Sequence, residues 1–160
     1  MEATIVLIFL FGYPLLIGAL FRVNTSFLFV TILAAELLER YFRDDAELVL
    51  RTVTTNEQLL AYTGFVMLII PLLLTGIFLK GSLTRSKTIL HFIPLILCGV
   101  VFAAFAAPIL PVDIQNALVD HYIGALLIGY AKLIVGITVF LQLLALWFLT
   151  KAKPNRKKRD

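Results

Sequence analysis

Five apolar runs separated by short polar connections constrain this chain more than any other feature: roughly Thr4–Phe21, Ser26–Phe42, Leu59–Leu79, Ile89–Leu110 and Tyr122–Thr150. An α-helix needs about 20 predominantly apolar residues to cross a hydrocarbon core of ~30 Å, and each run approaches or exceeds that length. The chain is 61% hydrophobic and 15% charged, whereas ordinary soluble domains are roughly 45–50% apolar. A membrane β-barrel would alternate apolar and polar residues in ~10-residue segments, but Ile5–Leu10, Val66–Leu74 and Leu141–Leu149 are nearly apolar on every side. The expected fold is all-α. It is a polytopic integral membrane protein of about five transmembrane helices, forming one domain over residues 1–150, with a basic tail over 151–160.

The fifth run is too long for one perpendicular crossing at ~1.5 Å per residue, so it is expected to tilt or to begin as a turn at the interface around Asp120–Leu126. The segment Arg43–Gln58 is polar but carries Leu48, Val49, Leu50 and Val53, a pattern read here as a short amphipathic surface element rather than a longer second helix. The tail Lys151–Asp160 is too polar to pack and is expected to be disordered. The first run lacks a basic leading region and a small-x-small cleavage site, so it is read as a helix of the mature protein.

Orientation follows from the basic residues, which accumulate in cytoplasmic loops. A cytoplasmic C-terminus and five crossings put ten of them inside: Arg22, Lys80, Arg85, Lys87, and the six of the tail. Only Arg40, Arg43 and Arg51 then lie outside, with the N-terminus. Four crossings with one re-entrant run is the alternative topology. The expected location is a cell membrane, that of a bacterial inner membrane in particular, and the lipid bilayer is the first partner.

Pro14 and Pro71 fall inside their runs and predict kinks, since each removes a backbone hydrogen bond. Pro94, Pro108 and Pro111 punctuate helix ends. Small residues at helical spacing mark close helix approach in a bilayer, where packing rather than the hydrophobic effect holds helices together. Gly99, Ala103 and Ala106 or Ala107 form such a face on the fourth run, and Ala125, Gly129 and Gly136 form one on the fifth. These faces allow contact with other membrane proteins or with a second copy.

Lys132 lies ten residues after Tyr122 and continues the series 125, 129, 132, 136. A lone ammonium near a bilayer centre costs at least ~2.5–3.5 kcal/mol, so it needs a partner. Glu36 is one candidate, which would give an ion pair between the second and fifth helices. Glu36 also stands four residues before Arg40, the favourable order for a local helical pair, and both pairings stay open. Ion translocation through such a site is the lesser reading, because no second membrane-buried acid or histidine relay is evident.

His91 and His121 fall at opposite boundaries and cannot share a metal, and Cys98 is the only cysteine. No metalloprotease spacing, nucleophile elbow or phosphate-binding loop is present. No cofactor, no metal, no catalytic residue and no nucleic-acid partner is therefore expected. The basic tail is read as a topological anchor on an anionic leaflet.

Three stretches give the layout a likeness to a known family: the tight basic turn Gly18-Ala-Leu-Phe-Arg22, the basic linker Lys80-Gly-Ser-Leu-Thr-Arg-Ser-Lys87, and Cys98-Gly99 in the helix that follows. Over roughly Leu7–Leu110 the chain resembles the colicin V production protein family, small bacterial inner-membrane proteins with an outside N-terminus. His91-Phe-Ile-Pro94 stands where that family has Asp and Gly. The resemblance implies an envelope protein tied to export or envelope integrity, with no catalytic residues. The expected function is that of a non-enzymatic membrane subunit or scaffold. A channel or transporter component built on Glu36 and Lys132 is the alternative, and a membrane enzyme the third.

Overall fold

A computed structural model describes residues 2–82 and 92–151. Residues 83–91, with Arg85, Lys87, Ile89 and His91, and the tail from 152 onward lie outside the described residues. The described residues are helical and contain no strand: α1 (Glu2–Leu20), α2 (Thr25–Val53), α3 (Glu57–Ala61), α4 (Thr63–Phe78), α5 (Phe92–Ala106), α6 (Val112–Val119), α7 (Tyr122–Gly129) and α8 (Ala131–Lys151). A single 3-10 turn, Ala107–Ile109, closes α5.

Among the described residues three helices are long and apolar enough to cross a membrane: Ala3–Leu20, Phe92–Ile109 and Ala131–Phe148. The two remaining candidates fall short for different reasons. α4 is apolar but has 16 residues. α2 has 29, but its apolar half is followed by Glu36, Glu39, Arg40 and Arg43. These two helices pack on each other, so the polar residues of α2 have a protein surface to face. A hydrogen bond of 2.9 Å between the Thr31 and Thr75 hydroxyls joins them.

The amphipathic element expected over Arg43–Gln58 is instead the upper part of α2, which runs without interruption to Val53. Side-chain pairing at i,i+4 spacing explains the continuity. Glu39–Arg43 at 3.2 Å and Arg43–Glu47 at 3.1 Å, with Glu36–Arg40 below them, form a ladder along one helix, and each such pair favours the helical backbone. Thr54 and Asn56 then turn the chain, and the Asn56 side chain caps α3 by accepting from the Gln58 amide.

The helices alternate in direction around α5. The turn from α1 to α2 is tight: the Val23 amide donates to the Gly18 carbonyl at 3.2 Å, with Arg22 in the left-handed region at φ 53°. This is the closure that usually places glycine where Arg22 stands. The Asn24 side chain caps α2. The end of α4 meets this turn, through Gly81 N–H to the Phe21 carbonyl at 2.8 Å and Asn24 N–H to the Ser82 hydroxyl at 2.9 Å. We call this the lower end. The upper end holds α3, the 3-10 turn, α6 and α7.

α5 is the axis of the bundle, packed against α1, α2 and α8. Val101, Phe102 and Ala103 are fully buried, as are Ala106 and Ala107. A Cβ at Gly99 would stand 2.7 Å from the Phe11 carbonyl oxygen, so α1 and α5 approach with backbone against backbone. The expected packing face of the fourth run therefore lies at a helix contact, with Gly99 on α1. The helices around Pro14 and Pro71 run through, Pro14 within α1 and Pro71 within α4.

The fifth run is two helices. Tyr130, at φ −117° and ψ 21°, leaves helical geometry while backbone hydrogen bonds from Tyr130 to Leu126 and from Ile134 to Tyr130 persist on either side. The series Ala125, Gly129, Lys132, Gly136 is thus split between α7 and α8. Among the described residues Gly129 and Gly136 have nothing within 4 Å of the place a Cβ would occupy, so neither makes a close contact there. α8 meets α5 through another face, in which Thr138 and Gln142 are buried.

The two kinds of glycine predict opposite mutational outcomes. Gly99→Ala forces a backbone shift and should lower stability by about 1–3 kcal/mol, whereas Gly136→Ala should change it by less than about 0.5 kcal/mol. Unfolding of both variants in mixed detergent micelles checks this. Equal effects at the two positions would contradict the packing described.

Candidate functional site

A cleft of about 600 Å³ opens near the upper end between α2, the end of α5 and the α7–α8 junction. Its charged lining is Glu36, Glu39, Arg40 and Lys132, and Tyr130 also lines it. Its walls are mostly apolar, with Phe105, Ile109, Ile128 and Val135 among them, and Ala104 of α5 and Leu68 of α4 also line it. The volume falls within the range of ~300–1,000 Å³ typical of small-molecule sites.

Helical rise explains how Glu36 and Lys132 reach the same level. Cys98 of α5 ties the lower levels together, its sulfur 3.8 Å from the Thr25 carbonyl of α2 and 3.6 Å from the Gln142 amide of α8. Glu36 stands eleven residues above Thr25 and Lys132 ten residues above Gln142, which is about 16 Å and about 15 Å of helix at ~1.5 Å per residue. The two side chains selected from sequence therefore line one cleft, although their residues are 96 positions apart.

They do not pair. The Glu36 carboxylate accepts from the Arg40 guanidinium on its own helix. Among the described residues Lys132 has no ion pair. Lys132 also sits in the first turn of α8, level with the 3-10 turn that ends α5, rather than ten residues deep in a continuous helix. The break at Tyr130 is the physical reason, because the lysine reaches the cleft from a helix end.

Glu39 was not singled out by the sequence, and it is the more buried of the two acids that line the cleft. It is 9% exposed, bonded to Arg43, and faces Gly64 of α4, where a Cβ would stand 2.8 Å from its Oε1. The spacing Glu36-x-x-Glu39 on one helical face was the available signal.

Gln142 was also missed. It is fully buried, donates to the Cys98 sulfur, and its Oε1 has no hydrogen-bond partner among the described residues. Its contacts join α8 to α5 below the cleft. Among the described residues no three His, Cys, Asp or Glu side chains gather in a metal-binding group.

Comparisons with protein-family models, with curated proteins and with solved structures find no match to this chain.

The pairing pattern gives a direct test. In double-mutant cycles, Glu36→Gln with Arg40→Gln should show a coupling of roughly 0.3–0.5 kcal/mol, the worth of a partly exposed i,i+4 pair. Glu36→Gln with Lys132→Met should be additive. Coupling in the second cycle larger than in the first would put the ion pair between helices instead.

Proposed function

We propose that this chain is a non-enzymatic integral membrane protein that crosses the bilayer five times. It works as an accessory or structural subunit of the cell envelope, with the charged cleft as its binding feature on the outer side. The location of the cleft carries this reading. It joins four charged side chains at one end of a bundle whose outer surface is strongly apolar. Ile8, Leu16, Leu133, Ile137 and Phe140 are all more than half exposed, which a water-soluble monomer does not sustain over so large an area.

The alternating directions of α1, α2, α4, α5 and α8 support five crossings. The lower end carries Arg22 and Lys80, and α8 descends toward the basic tail, so the excess of Lys and Arg favours a cytoplasmic lower end. Measured from the Asn24 cap, Glu36 would lie about 18 Å up a core of ~30 Å, and the cleft would open to the outer leaflet or the outer water. The layout likeness to the colicin V production protein family agrees with a bacterial inner membrane.

A channel or transporter component is the second reading, favoured by the presence of Glu36, Glu39 and Lys132 in one cavity. A subunit that does not translocate accounts better for what lies below. Leu28, Ile32, Leu72 and Phe102 are fully buried there, so the cleft ends on packed core.

Thiol labelling tests the reading in a Cys98→Ser background. In right-side-out vesicles, Lys132→Cys should react with a membrane-impermeant maleimide added outside, and Leu72→Cys should not react from either side. Labelling of Leu72→Cys would mean a hydrated pathway and would favour the channel reading. Protection of Lys132→Cys from the outside would remove the outer cleft.

A further inference from the structure

The cleft has an uneven charge arrangement. Each of its carboxylates is paired one helical turn away on α2: Glu36 with Arg40, and Glu39 with Arg43, which also pairs with Glu47. Lys132 lines the other wall with no ion pair among the described residues. The ammonium of Lys132 is therefore the charged group of the lining left open to a ligand. Arg40 stands on the same cavity, its side chain 67% exposed and so able to donate to a second acceptor beyond Glu36.

The rest of the cavity is mostly apolar, with Tyr130 at the α7–α8 junction. Phe105, Ile128, Leu133 and Val135 extend from the charged rim along α5, α7 and α8, and nothing in them would hold a polar body. A small hydrated anion would leave this surface unused, and a purely apolar molecule would leave Lys132 unanswered in a place where an unpaired charge is costly. A molecule with one anionic head and an apolar chain satisfies both.

We propose that the cleft binds a single amphiphile with one anionic head, carboxylate or phosphate. The head lies on Lys132 with Arg40 as second donor, and the chain runs along Phe105, Ile128 and Val135. This rests on the reading of the cleft as an outward-facing binding feature, and deepens it by naming the ligand class. Two sources share this chemistry: a free single-chain acid, and an anionic phospholipid of the surrounding leaflet that inserts one chain.

The test uses the full chain, purified in neutral detergent and examined by native mass spectrometry with palmitate, lysophosphatidylglycerol, phosphatidylglycerol and hexadecanol, each added separately. One bound anionic amphiphile per chain is expected, with hexadecanol not retained. Lys132→Gln should weaken the binding at least tenfold, and Lys132→Arg should restore it. Retention of palmitate and lysophosphatidylglycerol alone identifies a free single-chain ligand. Retention of phosphatidylglycerol with the same Lys132 dependence identifies the leaflet lipid.

Absence of stoichiometric binding by every anionic amphiphile overturns the proposal, and so does binding that is indifferent to Lys132→Gln. Thiol labelling separates this failure from that of the underlying reading. If Lys132→Cys labels from outside but nothing binds, the ligand class is wrong and the outward cleft stands. If it does not label, the cleft reading falls and this inference with it.

Discussion

Close backbone contact along α5 is what allows the other helices to assemble as they do. Gly99 removes the side chain that would strike the Phe11 carbonyl, and Ala103, Ala104, Ala106 and Ala107 keep the upper half of the helix thin. Helices in lipid gain little from apolar burial alone, because lipid tails are as apolar as leucine, so tight van der Waals contact has to supply the attraction. α1 settles on the glycine, while α8 approaches from another direction and holds its polar residues against Cys98. With α1 and α8 so placed, the cleft is the space left near the end of α5 where α2 and α8 flank it.

The polar residues follow from that arrangement. α2 carries too many charges in its upper half to be wholly lipid-exposed, and it answers this in two ways: by pairing them along its own length, and by packing against α4. Gly64 gives room to the Glu39 carboxylate, and Thr75 supplies the partner for Thr31. The ladder engages Glu36, Glu39 and Glu47 with Arg40 and Arg43 along α2, so none of these carboxylates pairs with Lys132. The charge that the cleft presents is thus a consequence of how α2 solves its own problem.

Much of the architecture was legible in the apolar runs, because a run of about 20 residues reports a helix whatever its neighbours are. Gly99 and Ala103 were legible for the same kind of reason, since small residues at helical spacing mark contact. Register between helices was not. Whether Glu36 meets Lys132 or Arg40 depends on where α8 begins, and Gly129 before Tyr130 reads equally as a packing residue and as the end of a helix. The extension of α2 past Phe42 was hidden because its charges read as a surface segment until their i,i+4 pairing is seen. Glu39 and Gln142 escaped notice as single polar residues, one beside a charged neighbour and one within a nearly apolar stretch, and burial is a property of the packed bundle.

The fifth apolar run is interrupted at Tyr130, so that Lys132 enters from a helix end, level with Glu36. A spin-label scan over residues 124–140 in liposomes, read for membrane depth by oxygen and nickel-chelate accessibility, tests this most directly. Depth should increase steadily with helical periodicity only from Ala131 onward. Positions 124–129 should follow a separate, shallow pattern, and Lys132 should match the depth of a label at Glu36. A single uninterrupted periodic gradient from 124 to 140, with Lys132 well below Glu36, would contradict it.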